Sequence, residues 1–222
     1  MPLQLYGHPF SSYTQKVLIA LYENATPFEF RWIGPDAPNG ANAAAEWLRL
    51  WPLRRFPVLA DGSRTVVETS IIIEYLQLRH PGRLTLLPAD PMPALDVRFL
   101  DRFFDLHVMN AMQIAVNGAL TGDPVKRRDG LAESVEKLER AYAWLEGTLA
   151  GRTWAAGEAF TLADCAAAPA LFYADWTHPI AETYPVLRDY RARLLQRPSF
   201  ARAVDEARPF RPYFPLGAPE QD

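Results

Sequence analysis

The chain of 222 residues is long enough for one large domain or two small ones, and either can bury a hydrophobic core. Its 23 lysine and arginine residues against 26 aspartate and glutamate residues give a formal net charge of −3, which argues against nucleic acid or an anionic membrane surface as a partner. With 49% hydrophobic and 22% charged residues, and no apolar run of the roughly 20 residues that a membrane span needs, the composition is that of a globular protein.

The N-terminal residues and the cysteine content indicate the compartment. The N-terminus lacks the basic stretch and apolar run of a secretory signal, so we expect a cytoplasmic location. The single cysteine, Cys165, can form no intrachain disulfide and has no partner at metal-binding spacing. We therefore expect no metal site, and we interpret Cys165 as a small core side chain.

Proline divides the chain into regions. Of the 20 prolines, seven fall within residues 1–57 and four within 81–93, whereas 94–123 and 125–168 contain none. Because proline costs roughly 3 kcal/mol inside a helix, the proline-free stretches are where long helices can form. The sequence predicts a turn-rich domain over 1–80, a linker over 81–92 and a helical domain over 93–222.

The elements predicted in the first domain alternate between strand and helix. The hydrophobic period changes along the segment between about 2, typical of strands, and about 3.6, typical of helices. In chain order the elements are a strand at 4–6, a helix at 12–23, a strand at 28–33, a helix at 43–50, strands at 58–60 and 65–67 around an Asp61-Gly62 turn, and a helix at 71–78. This order predicts a small α/β layer domain.

Two long helices are predicted in the second domain. Between residues 130 and 150, apolar residues recur at steps of three and four, which indicates one packed face. The helix at 94–120 carries a charged stripe, interpreted as solvent-facing, and a second polar stripe on another side. The second stripe fits either solvent and a dimer rim or a cleft facing the first domain. The first stripe comprises Arg98, Asp101, Arg102 and Asp105, and the second comprises His107, Asn110, Gln113 and Asn117.

Three motifs occur in a recognisable order. Leu5-Tyr6-Gly7 leads through Ser11-Ser12 into the first helix, Phe56-Pro57-Val58-Leu59 precedes Glu68-Thr69-Ser70, and a segment from Gly157 to Asp164 opens a later helix. Together they resemble the cytosolic glutathione transferase family, in a serine-type, bacterial-like form, over nearly the whole chain. The resemblance implies a thioredoxin-like N-terminal domain followed by an all-helical C-terminal domain, a homodimer, and conjugation of the co-substrate glutathione to a small hydrophobic electrophile without a metal.

The resemblance assigns part of the glutathione site to the segment around Pro57. In the family the bond before this proline is cis, and the exposed backbone of the preceding residue, here Phe56, pairs with the cysteinyl unit of glutathione like an added strand. The glycine carboxylate needs a cation, for which Arg55 or its neighbour Arg54 is the best candidate, since a guanidinium can bind a carboxylate through two hydrogen bonds.

The other end of glutathione is assigned to Glu68 and Thr69. These residues stand at the start of a predicted helix, where free backbone N–H groups can hold a carboxylate. The resemblance implies that Glu68 faces the ammonium group of the γ-glutamyl unit and that Thr69 binds its carboxylate. Thr69 also fits the position of a helix N-cap.

Catalysis requires the thiolate of glutathione, and a hydroxyl at a helix N-terminus stabilises that anion. Ser12 and Gln15 have capping-box spacing, so we assign the Ser12 hydroxyl to the cap, and Ser11 remains as the first candidate for thiol activation. Ser11 is also the position of the activating serine in the serine-type classes. Ser12 stays a second candidate, Tyr6 a third through the tyrosine branch of the family, and Tyr13 a weaker fourth.

Several alternatives remain open. A glutathione-dependent isomerase related to the maleylacetoacetate isomerases also carries a Ser-Ser pair, but there the third residue is typically cysteine, and here it is Tyr13. A non-catalytic interaction module with the same fold is the other alternative.

Thr161 and Asp164 have capping-box spacing, which predicts a folding role. Candidates for the electrophile pocket, each of which could equally be core, are Phe10, Phe103, His107, Tyr173 and Trp176.

Overall fold

The first part of the chain forms a small α/β layer. The computed structural model describes residues 2–34, 37, 40–220 and 222. The elements are β1 (Leu3–Gly7), α1 (Ser12–Glu23), β2 (Phe28–Trp32), α2 (Gly40–Leu50), β3 (Val58–Asp61), β4 (Arg64–Val66) and α3 (Thr69–Arg79). Every predicted element is present, with bounds that differ by a few residues at most.

The strands form one sheet in the order β2-β1-β3-β4. β1 runs parallel to β2 and antiparallel to β3, which pairs antiparallel with β4. Side chains alternate across β1: Leu5 is buried with α1 and α3, whereas Tyr6 is buried on the other face with α2. This is the small α/β layer that the element order predicts, and it has the thioredoxin-like form that the resemblance implies.

The second part is helical. Its elements are α4 (Pro91–Phe103), a π-helical segment (Phe104–Met109), α5 (Asn110–Leu120), α6 (Pro124–Leu149), α7 (Leu162–Thr177), α8 (Pro185–Leu195), α9 (Pro198–Ala207) and a 3₁₀ segment (Arg208–Tyr213). α4, the π segment and α5 form the long helix predicted for 94–120, extended to Pro91. None of the helices in the described ranges is long and apolar enough to cross a membrane.

One continuous hydrophobic core joins the two parts. It includes Val17 and Leu18 of α1, Ile72 of α3, and Phe104 and Leu171 of the helical part. The expected fold class, a thioredoxin-like domain followed by an all-helical domain, is therefore confirmed, and the two domains share their largest core.

The caps of two helices differ from the prediction. The N-cap of α1 is Ser11, whose Oγ accepts a hydrogen bond from the Thr14 N–H at 3.3 Å, and Ser12 is the first helical residue. The N-cap of α3 is Glu68 rather than Thr69. In both cases the backbone leaves the helical region one residue earlier than expected, and sequence spacing alone does not fix that point.

The capping box of α7 is confirmed. Thr161 is the N-cap, and the carboxylate of Asp164 accepts hydrogen bonds from the Thr161 N–H (2.8 Å) and Oγ (3.0 Å). The same carboxylate, which is fully buried, also accepts from the Ala155 N–H (2.8 Å) and the Tyr190 hydroxyl (2.7 Å). Asp164 therefore joins α7 to the preceding loop and to α8 as well as capping the helix.

Candidate active site

A cleft of about 400 Å³ lies between the two domains. One wall is the loop between β1 and α1 together with the first turn of α1, and the other consists of α5, α7 and the C-terminal segment. The lining residues are His8, Phe10, Ser11, Ser12, Tyr13, Phe56, Met112, Gln113, Val116, Leu120, Tyr173, Tyr213, Phe214 and Pro215. Apart from the imidazole of His8 and the phenols of the three tyrosines, none of these residues carries an ionisable side chain, so the cleft is largely apolar.

Ser11 combines two hydrogen-bonding capacities at the edge of this cleft. Its Oγ accepts from the Thr14 N–H, which uses one lone pair and leaves the hydroxyl proton available. Within the described part of the chain, that proton has no acceptor. A ligand atom in the cleft beside Ser11 can therefore accept the proton while also lying near the N-terminus of α1. The capping role, which we assigned to Ser12, is compatible with thiol activation by the same residue.

Ser12 also lines the cleft, as the first helical residue of α1. Ser12 is only 9% exposed, whereas Ser11 is intermediate in exposure. The structure thus brings both serines to the cleft, with Ser11 the more accessible of the two.

The two tyrosine candidates lie in different surroundings. Tyr6 is buried on the α2 face of the sheet, where its hydroxyl contacts Glu46 at 3.0 Å, so it is separated from the cleft. Tyr13 lines the cleft, but its hydroxyl donates to Asn110 Oδ1 of α5 at 3.1 Å. Burial and then the nearby Asp105 carboxylate raise the pKa of Tyr13 to about 12. Tyr13 is therefore a neutral bridge between the domains.

The segment before β3 adopts the geometry expected of it. The Phe56–Pro57 peptide bond is cis, and Phe56 lines the cleft. Its backbone N–H and C=O make no hydrogen bond to the residues that the structure describes, so both are open to a ligand. The preceding turn is held by the Trp47 indole, whose Nε1 donates to the Arg55 carbonyl at 2.8 Å. The side chains of Arg54 and Arg55 are exposed.

Glu68 stands in an uncommon backbone conformation, with φ 69° and ψ 118°. An L-residue adopts positive φ at a cost in free energy, and such positions are concentrated at ligand sites. The side chain of Glu68 is exposed and makes no capping bond, whereas Thr69 is buried in the first turn of α3. The charge of Glu68 raises the pKa of Tyr13 and that of Arg55 lowers it, so both charges lie within electrostatic range of the first turn of α1.

A buried charged cluster lies between the domains. Lys16 of α1 is almost fully buried, and its Nζ lies 2.6 Å from Asp101 and 2.7 Å from Asp105. Ser70 of α3 accepts from Lys16 and donates to Asp101 at 2.7 Å, and Arg102 donates to both Ser70 and Asp105. The interpretation of a solvent-facing stripe is therefore wrong for Asp101 and Asp105, because they compensate a buried lysine from the other domain.

The second polar stripe divides between two surroundings. Asn110 accepts from Tyr13, and Gln113 lines the cleft and donates to Asn117, in agreement with a stripe facing the first domain. His107 instead lies beside Phe103 in a separate cavity of about 290 Å³, where Phe103 stacks on Trp144.

The candidates for the electrophile pocket divide in a similar way. Phe10 and Tyr173 line the cleft, whereas Phe103 and His107 line the other cavity, and Trp176 packs behind Phe214. Sequence reasoning missed two walls, which belong to α5 and to the chain's C-terminal segment: Met112, Val116, Leu120, Tyr213, Phe214 and Pro215. The run of aromatic residues and prolines after α9 was a usable signal for the second of them.

Cys165 is buried in the core, and burial raises the pKa of its thiol well above the ordinary value. It is therefore an unreactive core residue, as expected. Within the described residues, no three potential ligands among histidine, cysteine, aspartate and glutamate lie together as a metal site.

The fold and the cleft define a two-domain protein in which a thioredoxin-like layer and a helical domain enclose a binding site. Residues 5–84 match the family model of the glutathione S-transferase N-terminal domain, and residues 103–198 match that of the glutathione S-transferase C-terminal domain. The chain therefore belongs to the glutathione S-transferase family. Its general activity is that of a glutathione transferase, with glutathione as the co-substrate.

Individual relatives span nearly the whole chain. A probable maleylacetoacetate isomerase from Vibrio cholerae is 29% identical over 94% of this chain and 98% of its own length. Glutathione S-transferase 3 from Zea mays is 29% identical over 91% of this chain and 93% of its own. A crystal structure of a glutathione S-transferase from Methylobacterium radiotolerans, in complex with glutathione sulfonate, is 32% identical, with a TM-score of 0.76 over 92% of this chain and 95% of that one.

Proposed function

We propose that this protein conjugates glutathione to a small, neutral, apolar electrophile and that Ser11 keeps the glutathione sulfur ionised. The observation that carries the proposal is the hydroxyl of Ser11, whose proton has no acceptor in the described part of the chain and which lies at the edge of the apolar cleft. The family supplies the general reaction, and the cleft geometry supports the role of this residue.

The energy required is within reach of that arrangement. A free thiol has a pKa of about 8.5, and lowering it by about two units requires about 2.7 kcal/mol of preferential stabilisation of the thiolate. A hydrogen bond to a charged group contributes about 1.5–3 kcal/mol, and a helix N-terminus adds about 0.3–1 kcal/mol. One serine hydroxyl at the first turn of α1 is therefore sufficient.

The remaining glutathione contacts are proposed as follows. The open backbone of Phe56 beside cis Pro57 pairs with the cysteinyl unit, Glu68 faces the ammonium group, and Thr69 with the N-terminus of α3 holds the γ-glutamyl carboxylate. Arg55, exposed beside the same cleft, binds the glycine carboxylate. The charges of Glu68 and Arg55 both affect the pKa of Tyr13, which lines the cleft, and this supports placing both residues near the same ligand.

The choice of a neutral electrophile rests on the cleft lining. Maleyl-type substrates of an isomerase carry two carboxylates, and the described lining residues include no lysine or arginine to neutralise them. The resemblance to the Vibrio cholerae relative nevertheless makes glutathione-assisted isomerisation the second candidate. An assay of cis–trans isomerisation of a maleyl diacid, run beside conjugation of an aryl halide, distinguishes the two reactions.

The test of the proposal is a set of three variants examined for glutathione binding and for the pKa of the bound thiol. Ser11→Ala is expected to raise that pKa by about one to two units and to leave glutathione affinity nearly unchanged, because it removes one hydrogen bond to the anion. Ser12→Ala tests the second candidate. Tyr6→Phe is the control, since Tyr6 lies on the other face of the sheet. An unchanged pKa in Ser11→Ala would refute the role of Ser11.

We also propose that two copies associate through α3 and α4. Each helix presents a row of exposed apolar side chains at helical spacing, and such rows are characteristic of contact surfaces. The residues are Ile71, Leu78, Met92, Leu95 and Phe99. Leu95→Glu should give a monomer in light scattering, whereas Val125→Glu, at an exposed position of α6, should leave the dimer intact.

A cytoplasmic location fits a protein that uses reduced glutathione and keeps its cysteine as a free thiol.

A further inference from the structure

Two side chains hold the loop between β1 and α1 from inside the protein. Gln15 of α1 is fully buried, and its Nε2 donates to the Pro9 carbonyl at 3.1 Å and to the Tyr173 hydroxyl at 3.0 Å. The Tyr173 hydroxyl in turn donates to the Phe10 carbonyl at 3.1 Å. The carbonyls of two successive residues, immediately before Ser11, are thus both bound by side chains.

The direction of each hydrogen bond is fixed by chemistry. A tyrosine hydroxyl has one proton, and since the Phe10 carbonyl takes it, the bond from Gln15 must be one that Tyr173 accepts. A reversed amide would bring the Oε1 of Gln15 against the Pro9 carbonyl, which is also an acceptor. The arrangement therefore has a single orientation. Burial raises the pKa of Tyr173 well above the ordinary value, so the hydroxyl keeps its proton throughout the working pH range.

The two side chains come from different domains. Gln15 belongs to the helix that Ser11 caps, whereas Tyr173 belongs to α7 of the helical domain. The ring of Tyr173 also packs edge-on against Phe10, with ring centroids 5.4 Å apart. The helical domain therefore determines the position of a loop in the thioredoxin-like domain at the residue adjacent to Ser11.

We propose that Gln15 and Tyr173 are positioning residues that hold the Pro9–Phe10 backbone and thereby aim the Ser11 hydroxyl at the glutathione sulfur; this inference rests on the function proposed above for Ser11. Neither residue needs to reach the sulfur, since each acts through the loop carbonyls. A hydrogen bond to an anion weakens steeply with misalignment, so a small displacement of Ser11 is sufficient to reduce the thiolate population.

The test compares Tyr173→Phe, Gln15→Met and a control, Tyr142→Phe. Tyr142 is also buried, and its hydroxyl also donates to a backbone carbonyl, that of His178 at 3.0 Å, but it does not line the cleft. Phenylalanine at position 173 keeps the ring packing and removes only the hydroxyl. The measurement is the ultraviolet thiolate absorbance of glutathione bound to each full-length variant, recorded as a function of pH, together with glutathione affinity.

We expect Tyr173→Phe to lower the thiolate fraction about three- to tenfold at a pH below the thiol pKa, equivalent to a rise of about half to one pKa unit. Glutathione affinity should change little, and Tyr142→Phe should titrate as the wild type does. Gln15→Met combined with Tyr173→Phe should add little to either single change, because the two residues share one set of hydrogen bonds.

Two results would overturn the inference. One is a wild-type titration in folded Tyr173→Phe, and the other is an equal shift in Tyr142→Phe, which would show a general loss of rigidity instead. The Ser11→Ala variant separates this inference from the proposed function. If Ser11→Ala titrates as the wild type, the proposed role of Ser11 fails and the positioning role with it. If only Ser11→Ala shifts the pKa, the positioning role alone fails.

Discussion

The carboxylate of Asp164 allows a quantitative prediction about stability. Its Oδ1 accepts from the Ala155 N–H and the Tyr190 hydroxyl, and its Oδ2 accepts from the N–H and hydroxyl of Thr161. The two hydroxyls can rotate and can also accept a hydrogen bond, whereas the two backbone N–H groups are fixed donors. The cost of a substitution at this position is therefore determined by how many of these N–H groups lose their acceptor.

Asparagine keeps one acceptor oxygen and replaces the other with a donor, so one backbone N–H is left unpaired. A buried unpaired donor costs about 1–3 kcal/mol, and Asp164→Asn should lower the free energy of unfolding by that amount. Alanine leaves both N–H groups unpaired, which gives about 2–6 kcal/mol for Asp164→Ala. The value for Asp164→Ala exceeds the roughly 1 kcal/mol of an ordinary helix cap, which is the effect that sequence spacing alone suggests, and the value for Asp164→Asn equals or exceeds it.

The assay is urea unfolding monitored by tryptophan fluorescence. The dependence of the free energy of unfolding on urea concentration should be the same in all variants, which shows that each exposes the same surface on unfolding. The control is Asp90→Ala, which removes the N-cap of α4, where Asp90 bonds the Met92 N–H at 3.0 Å on the surface. Activity per folded molecule should be unchanged in every variant. The explanation by unpaired N–H groups is wrong if Asp164→Ala costs no more than Asp90→Ala. It is also wrong if Asp164→Asn costs as much as Asp164→Ala.

Three further predictions concern the charged groups. Lys16→Met leaves buried carboxylates uncompensated and should destabilise the protein by about 3–5 kcal/mol in urea unfolding, with part of the loss recovered by adding Asp105→Asn. Glu68→Gly should have a free energy of unfolding about 1–2 kcal/mol higher than Glu68→Ala, and so a higher urea midpoint, because only glycine adopts φ 69° without strain. Both variants should bind glutathione more weakly than the wild type. Burial raises the pKa of Glu23, but its hydrogen bonds, chiefly from Arg197, lower the pKa by more than burial raises it. The net pKa therefore lies below the ordinary glutamate value. The stability from this pair is therefore present above the ordinary glutamate pKa and is lost as the pH falls through the folded-state value. Arg197→Met should remove that pH dependence, and equal acid sensitivity in the variant would contradict the assignment.

The local pattern of the sequence predicts most of the fold. The alternation of periods in the first 80 residues gives each strand and helix, because those periods reflect which side of an element is buried. The cap positions of α1 and α3 are displaced by one residue, since the capping residue is determined by where the backbone leaves the helical region. Ser11 and Ser12 both have the hydroxyl that a cap requires, so side-chain chemistry alone does not determine which of the two becomes the N-cap.

The parts of the site that depend on distant residues could not be predicted in this way. Lys16 meets Asp101 and Asp105 across the domain interface, and no local period shows that a charged residue on an amphipathic helix faces a buried partner. For the same reason Gln15 was assigned only to a capping pattern, although its side chain bonds Tyr173 far along the chain. Motif resemblance predicts the segments that we propose to face glutathione, whereas the wall formed by Met112 and Val116 depends on which side of α5 faces the cleft.

The C-terminal wall of the cleft follows a 3₁₀ segment that is held by aromatic contacts and an ion pair. Phe210 packs against His8 and Trp32, with ring centroids 4.8 and 5.2 Å apart, and Arg208 pairs with Asp222 at 2.8 Å. Tyr213, Phe214 and Pro215 follow the last helix and lie against the cleft. Because this wall lies outside the four strands, substitutions in it can change the shape of the cleft without disturbing the sheet. The wall proposed to meet the electrophile can therefore vary independently of the segments proposed to hold glutathione.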